Sequence, residues 1–335
     1  MEYKDFFALL GGLALFLYGM HQMSEGLNKA AGEQMKRIME RITKNRFMGV
    51  AVGAAVTAVI QSSSATTVMV VGFVNSGMMT LRQAVWIIMG ANIGTTITGQ
   101  LIALDVEAFA PLLAFAGVAV VLFAKKEKAR YMGEIVAGLG ILFLGMEMMS
   151  AAMQPLGESE TFLRAMTQFE HPFAGILAGT VFTAVIQSSS ASVGILQTLA
   201  QSGAISFAGA VYVLFGQNIG TCITAILASV GTNRNAKRTT IIHLLFNIIG
   251  TVVFTVICML TPFAAWVEQF TPGRPAAQIA NMHTMFNIGT TLLLLPAGNL
   301  LAAAAERILP DEKQDGRRPA EVKMHQRKME DLWNS

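Results

Sequence analysis

Two identical nine-residue segments, each with a run of polar side chains, stand in otherwise apolar stretches of the chain. Residues 57–65 and residues 183–191 both read TAVIQSSSA, at an offset of 126 residues. Hydrocarbon does not tolerate unsatisfied polar groups, so the amide and the three hydroxyls of each copy must face protein, water or a ligand. We expect the two copies to be the two halves of one binding site. Its predicted ligand-binding residues are Gln61, Ser62, Ser63, Ser64, Gln187, Ser188, Ser189 and Ser190.

A second polar segment follows each copy at the same distance. Residues 92–95 and residues 218–221 both read NIGT. A glycine after an asparagine inside an apolar span predicts a broken helix, which would free backbone N–H and C=O groups. Hydroxyl, amide and freed carbonyl oxygens together suit a hard monovalent cation such as sodium. The residues predicted to hold the cation come from both polar segments of each copy: Ser64, Thr66, Asn92, Thr95, Ser190, Ser192, Asn218 and Thr221.

The same groups also suit an oxyanion. Hydroxyl hydrogens, glutamine amides and the N–H groups of a helix N-terminus donate to negative oxygen atoms, and the helix dipole favours negative charge there. No Lys or Arg lies in the central part of the predicted spans, and burying an anion without a counter-charge is costly. Co-bound sodium ions would supply that charge, which would couple the two ligands.

Other polar residues have more than one interpretation. An isolated serine in a membrane is better read as interhelical hydrogen bonding, worth about 0.6 kcal/mol per contact, whereas the recurrence of QSSS favours a ligand site. The pattern HxxFN occurs twice, and it places His243 with Asn247, and His283 with Asn287, on one helix face. Both interpretations of this pattern stay open: the four side chains line the cavity, or they cap and orient nearby backbone.

Several kinds of chemistry are not expected. No acidic or thiol ligand stands at matching spacing, so sodium is the only metal predicted and no transition-metal site is. Cys222 and Cys258 lie in apolar stretches and are interpreted as packing residues. No nucleophile is paired with a base at a recognisable spacing, so we expect no enzyme and no cofactor.

The composition is that of an all-α polytopic membrane protein. Of 335 residues 53% are apolar and 13% are charged, against about 25% charged residues in a soluble domain, and the mean hydropathy is +0.52. The first apolar run lacks the basic start of a secretory signal and is interpreted as a retained span. Seven spans are predicted by length and hydropathy, at about residues 6–24, 83–104, 108–124, 131–153, 207–230, 239–260 and 277–304.

Loop charges favour a re-entrant conformation for both QSSS segments. Positive residues concentrate in residues 25–46, which are predicted as an interfacial helix, in residues 125–130 and 232–238, and in the C-terminal tail. All four regions become cytoplasmic only if residues 47–75 (hairpin 1) and residues 172–201 (hairpin 2) each enter and leave on one face. The N-terminus is then outside and the C-terminus is in the cytoplasm, with the protein in the cell (inner) membrane.

The 126-residue offset extends well beyond the nonapeptide and divides the chain. Glycines, serines and the NIGT segment match in constant register over some ninety residues. Each unit has three crossings and one hairpin, so the second unit should be inverted relative to the first, as in secondary transporters. The expected organisation is repeat 1 (1–130), inverted repeat 2 (131–260), an additional C-terminal span (261–304) and a cytoplasmic tail (305–335).

Duplicated QSSS segments with NIGT companions resemble the type II sodium-dependent phosphate cotransporter family. The resemblance covers about residues 6–304. It implies that the two QSSS segments form the substrate and sodium sites, with Asn92, Thr95, Asn218 and Thr221 as neighbours. Many bacterial relatives continue into a PhoU-like domain, and a complete domain of that kind is not expected here.

The function expected from the residues and the resemblance together is sodium-coupled uptake of inorganic phosphate by alternating access. The partners are then phosphate, sodium and the lipid bilayer, without nucleic acid. The alternative is a sodium-coupled symporter of another small anion or a zwitterion. A channel is disfavoured, because inverted re-entrant repeats without a ring of charges suit alternating access better.

Overall fold

The fold is all-α, as predicted. The computed structural model describes residues 3–32, 34, 37–38, 45–104, 107–157 and 159–311. Part of the predicted interfacial helix and most of the predicted tail lie outside these residues. The described α-helices are α1 (Tyr3–Leu27), α2 (Arg46–Ile60), α3 (Ser63–Asn75), α4 (Leu81–Ile102), α5 (Ala110–Phe123), α6 (Glu127–Gly157), α7 (Glu160–Met166), α8 (Pro172–Ile186), α9 (Ser189–Gln201), α10 (Phe207–Gly220), α11 (Cys222–Ala228), α12 (Arg234–Leu260), α13 (Phe263–Phe270), α14 (Pro275–Leu294) and α15 (Gly298–Ile308).

Several of these helices have the length and hydropathy of membrane spans, which confirms a polytopic membrane protein. Within the described ranges five qualify: α1 with a short π-helical extension, α4, α6, α10 joined to α11, and α12. The number rises to seven if two bent helix pairs each count as one span. The predicted span at 108–124 is the shorter helix α5.

The predicted span at 277–304 consists of two helices. Helix α14 ends at Leu294, and α15 begins at Gly298 after a bend of 84°. Pro296 lies in the bend. A proline has no N–H to donate and disfavours the helical conformation of the residue before it, so the apolar run 292–295 cannot continue as one straight helix.

The first helices of the two repeats, α1 and α6, pack against each other through equivalent glycines. A Cβ on Gly12 would lie 2.9 Å from the carbonyl oxygen of Gly145, and one on Gly19 would lie 2.6 Å from that of Gly138. Gly138 and Gly145 are the repeat equivalents of Gly12 and Gly19. Because Gly12 meets Gly145 and Gly19 meets Gly138, α1 and α6 are antiparallel, and each helix makes the same contact as the other. Two equivalent helices related by a two-fold axis meet in this way.

Close packing by small residues also joins each hairpin to the helix after it. A Cβ on Gly53 would collide with the Ile87 carbonyl, one on Gly90 with Val50, and one on Gly94 with Ala54. The same collisions recur 126 residues later, between α8 and α10. In both repeats the first hairpin helix therefore runs parallel to the helix that follows the hairpin, with small residues at the interface as in other membrane bundles.

This packing explains why the predicted helix break at NIGT is wrong in repeat 1. Helix α4 continues through Asn92 and Gly94, and Thr221, between α10 and α11, keeps right-handed helical angles (φ −58°, ψ −26°). In repeat 2, α10 ends at Gly220 and α11 begins at Cys222, so the segment there does separate two helices. In both repeats the glycine of NIGT is one of the places where the hairpin backbone approaches closely. A glycine in an apolar helix can mark a break in that helix or allow another helix to approach closely, and the sequence pattern alone does not distinguish these two uses.

The two hairpins open at opposite ends of the bundle. The end of α3 lies beside the start of α12, where Asn233 Nδ2 donates to the Asn75 carbonyl at 2.8 Å, and α2 begins beside the start of α4. The end of α9 at Gln201 shares a cavity of about 540 Å³ with Ile102, at the other end of α4. The assignment of these ends to membrane faces, and with it the inverted topology and the repeat boundaries, stays a prediction.

Candidate functional site

Each QSSS segment forms a tight turn between two helices. Helix α2 ends at Ile60, and the next residue, Gln61, has the left-handed angles φ 58° and ψ 25°. Ser62 then caps α3 by accepting the N–H of Ala65 at 3.1 Å. The second copy repeats the geometry, with Gln187 at φ 59° and Ser188 capping α9. Gln61 and Gln187 are the only non-glycine residues with positive φ in the described part of the chain. Such angles are costly for a side chain and cluster at functional sites.

The two turns meet at their second serines. The hydroxyl oxygens of Ser63 and Ser189 lie 3.4 Å apart, and both residues are buried. These serines are the first residues of α3 and α9, so the N-termini of two helices converge at one place. Free N–H groups and the positive ends of two helix dipoles make this an environment for a negative ligand.

A second chain of hydrogen bonds connects the repeats and is not symmetric. Ser190 donates to the Thr98 hydroxyl at 3.3 Å, and Thr98 donates to Oε1 of Gln61 at 2.8 Å. The equivalent of Thr98, Thr224, instead donates to the Thr221 carbonyl in its own helix. Gln61 is accordingly buried, whereas Gln187 is exposed. Ser62, Ser64 and Ser188, the other predicted ligand-binding serines, are half-buried.

The predicted cation ligands of repeat 1 surround its turn. Thr66 accepts a hydrogen bond from Thr57 at 3.0 Å and donates to the Ser62 carbonyl. Asn92 donates its amide to the Ile88 carbonyl, and the buried Thr95 hydroxyl has no hydrogen-bond partner among the described residues.

The equivalent groups of repeat 2 contain more unpaired oxygens. Ser192 and Thr183 are fully buried, and neither hydroxyl has a hydrogen-bond partner in the described ranges. Gln217 donates to the Ser192 carbonyl at 3.0 Å while its own Oε1 is likewise unpaired. Thr221 and Asn218 donate to backbone carbonyls one turn back. Buried polar atoms without partners call for an explanation, and a ligand provides one.

The HxxFN residues are buried, and one of them reaches the NIGT segment. Asn247 and Asn287 donate to the carbonyls of His243 and His283 within their own helices. Nε2 of His283 lies 3.2 Å from Oδ1 of Asn218. His283 is thus brought beside a predicted cation ligand.

Two glutamines of the site were missed by the sequence reasoning. Gln197 is fully buried and donates to the carbonyls of Gly99 and Ala276, which ties α9 to α4 and α14. Gln217 holds the backbone of α9, as described above. The sequence does contain a signal for both glutamines, because they depart from the 126-residue repeat. Repeat 1 has Val71 at the position equivalent to Gln197 and Ala91 at the position equivalent to Gln217.

Comparison with known proteins decides the family. The sequence model of a family described as Na+/Pi-cotransporter matches the chain twice, over residues 15–151 and residues 144–266. The chain belongs to the Na+/Pi-cotransporter family. The resemblance expected from the motifs is thus confirmed, and the family is one of transporters, not of enzymes. The two matches fall one on each half of the duplicated region.

Individual relatives cover the chain to different extents. YqeW of Bacillus subtilis, named an uncharacterized protein, is 32% identical over 299 residues, which are 89% of this chain and 96% of YqeW. The putative inorganic phosphate export protein YjbB of Salmonella typhimurium is 28% identical over 309 residues, 91% of this chain but 56% of YjbB. Human sodium-dependent phosphate transport protein 2B is 39% identical over 98 residues, 29% of this chain and 14% of the human protein. No solved structure matches the chain.

Proposed function

We propose that the chain is a sodium-coupled symporter that takes up inorganic phosphate by alternating access. The observation that carries the proposal is the meeting of the two QSSS turns, with 3.4 Å between the hydroxyls of Ser63 and Ser189, in a chain of the Na+/Pi-cotransporter family. Phosphate would be held between the N-termini of α3 and α9.

The chemistry of the turns suits phosphate. Serine hydroxyls and helix N-terminal N–H groups donate to oxyanions, and each helix dipole contributes about 0.3–1 kcal/mol. Neither hairpin contains a Lys or an Arg. The site is therefore a neutral set of donors, and a phosphate bound there needs positive charge from another source.

Sodium is the proposed source of that charge. The unpaired oxygens of Thr183, Ser192 and Gln217 lie on three helices of repeat 2 that contact one another around its turn. An all-oxygen group of this kind suits a hard monovalent ion better than a transition metal. Sodium bound beside the turn would offset the phosphate charge, so neither ligand would bind well without the other.

Alternating access is supported by the packing that the two repeats share and by the environments in which they differ. Both hairpins pack on the following helix through the same small residues, yet they open at opposite ends of the bundle. Gln61 is buried and accepts a hydrogen bond from Thr98 of its own repeat, which in turn accepts one from Ser190 of the other repeat, whereas Gln187 is exposed. Exchange of these two environments would expose the central site first to one face and then to the other.

Radiolabelled phosphate uptake into proteoliposomes tests the proposal. An inward sodium gradient should drive phosphate accumulation, and replacement of sodium by potassium should abolish it. Phosphate flux that is independent of sodium, or no flux, would contradict the proposal. Competition by unlabelled sulfate or a zwitterion that exceeds competition by phosphate would favour the alternative symporter.

Export is a second candidate for the direction, since the relative YjbB is named a putative phosphate export protein. A sodium symporter moves phosphate in the direction of the sodium gradient. Vesicles loaded with phosphate and given an outward sodium gradient should then release it, and an inward gradient should suppress the release. Release against the sodium gradient would favour a dedicated exporter.

A further inference from the structure

A second cavity lies far from the QSSS turns, at the end of the bundle where α2 and α4 begin. Its volume is about 790 Å³, and its lining includes Arg46, Phe47, Arg82, Trp86 and Asn299. Gln61 stands fifteen residues from Arg46 along α2, which is about 22 Å at 1.5 Å per residue. The cavity is therefore separate from the site proposed above.

The polar side of the cavity is cationic. Arg46 and Arg82 are both exposed, and none of the described lining residues is acidic. The guanidinium carbon of Arg46 lies 5.2 Å from the centroid of the Phe47 ring, a distance typical of a cation–π contact. A guanidinium presents its donors in a rigid fork that matches the oxygens of a phosphate group. Helix α15 starts at this cavity without a side-chain cap, which adds partial positive charge.

The other side of the cavity is apolar and open at the protein surface. Phe47 is 60% exposed, and Met48 and Leu300, adjacent in sequence to lining residues, are 51% and 70% exposed. The indole of Trp86 is buried between α2 and α15, since Cβ atoms on Gly49 and Gly298 would both meet it. Exposed apolar side chains directly beside arginines and a tryptophan are typical of the membrane–water interface.

We propose that this cavity binds an anionic phospholipid. Arg46 and Arg82 would hold the phosphodiester, and the acyl chains would lie along Phe47 and Leu300. A free phosphate ion would use only the arginines and would leave the apolar side uncovered. Basic pockets between membrane helices bind anionic headgroups by the same combination of charge and apolar contact.

A lipid bound here would connect the start of hairpin 1 to the start of α4. Arg46 belongs to the first turn of α2, and Arg82 belongs to the first turn of α4. The lipid would hold these two starts together at the headgroup level. The proposal does not depend on which anion the central site transports.

Binding of phosphatidylglycerol to the purified full-length protein, measured by native mass spectrometry, tests the proposal. Phosphatidylglycerol should bind at least about tenfold more tightly than phosphatidylcholine with the same acyl chains. Arg46→Gln/Arg82→Gln should remove that preference. Lys125→Gln/Arg130→Gln, which loses the same charge outside the cavity, should retain it.

A further variant distinguishes lost binding from lost folding. Asn299→Asp adds a carboxylate at an exposed lining position and should weaken phosphatidylglycerol binding while the unfolding temperature stays the same. Equal binding of both lipids, or full phosphatidylglycerol binding in the double arginine variant, would overturn the proposal. Displacement of the lipid by millimolar inorganic phosphate would also overturn it, because the cavity would then be a free-anion site.

Discussion

At the scale of single residues, the two left-handed glutamines are the least ordinary feature of the chain. A helix that ends in a left-handed residue usually has glycine there. Gln61 and Gln187 occupy those positions instead, at a cost of about 1 kcal/mol each. The side chain must therefore contribute something that glycine lacks, and the bond from Thr98 to Gln61 is one such contribution.

Gln187→Gly should separate stability from transport. Because Gln187 is exposed and glycine adopts φ 59° without strain, we expect the free energy of unfolding to rise by about 1 kcal/mol. Phosphate uptake should fall, since the amide is lost. Thermal unfolding in detergent and proteoliposome uptake measure the two effects. Gly203→Ala is the reverse control, because Gly203 has φ 73° with open space around it, and that variant should be less stable.

The serines at the contact of the two turns make a direct prediction. Ser63→Ala or Ser189→Ala should abolish phosphate uptake and leave a folded, inserted protein, because each removes one hydroxyl from the centre of the proposed site. Ser76→Ala is the matched control, since that hydroxyl bonds to the Phe73 carbonyl at the far end of α3. Full uptake by both QSSS variants would reject the assignment of the site.

The sequence alone indicates most of the residues that the structure brings together at the proposed site, and it leaves two glutamines out. The QSSS serines stand out because polar runs in apolar segments need a reason. Gln197 and Gln217 are marked only as departures from the repeat, and each acquires its role from the backbone that it meets in three dimensions. These glutamines bind the backbone carbonyls of Gly99, Ala276 and Ser192. Each carbonyl is distant in the chain from the glutamine that binds it, and a backbone carbonyl has no signature in the sequence.

At the scale of helices, the small-residue contact between α2 and α4 should be the most sensitive to substitution. A Cβ on Gly94 would lie 2.7 Å from the Cβ of Thr57 and would collide with the Ala54 carbonyl. Gly94→Ala should therefore reduce stability by about 1–3 kcal/mol. Gly72→Ala, in open space within α3, should be neutral or stabilising by up to about 1 kcal/mol. Thermal unfolding of both variants is the measurement, and equal effects would contradict the packing.

The same helices show where sequence patterns are ambiguous. The pattern Asn-Ile-Gly-Thr predicts a helix break, whereas the structure uses its glycine for close approach of the hairpin backbone. The hydropathy of residues 277–304 predicts one span, and the chain bends within it at Pro296. In the first segment the neighbouring helix decides between two uses of glycine, and in the second the local chemistry of proline overrides the hydropathy.

At the scale of the whole molecule, the duplicated sequence predicts two equivalent units, and the structure adds how they differ. The constant offset of 126 residues was sufficient to expect two matching hairpins. It does not predict that Ser190 bonds to Thr98 while Thr224 bonds within its own helix. Under the proposed alternating access, such asymmetry would depend on which of two related conformations is populated.

Sodium dependence belongs to this scale, because the proposed cation oxygens come from α8, α9 and α10 and the proposed anion donors come from α3 and α9. Thr183→Val removes a buried, unpaired hydroxyl and keeps the shape of the side chain. The sodium concentration that half-activates phosphate uptake should rise by about tenfold or more, while the phosphate requirement at saturating sodium should change less. Phosphate dependence that shifts as much as sodium dependence would place Thr183 with the anion instead.

The number of phosphate ions bound per chain tests the central claim most directly. Binding of radiolabelled phosphate to purified protein in saturating sodium should give one phosphate per chain, because both turns together form the one proposed site. Ser63→Ala and Ser189→Ala should each weaken that one site, and the double variant should lose little more than either single variant. Two phosphate ions per chain, with each serine variant losing only one of them, would contradict the account.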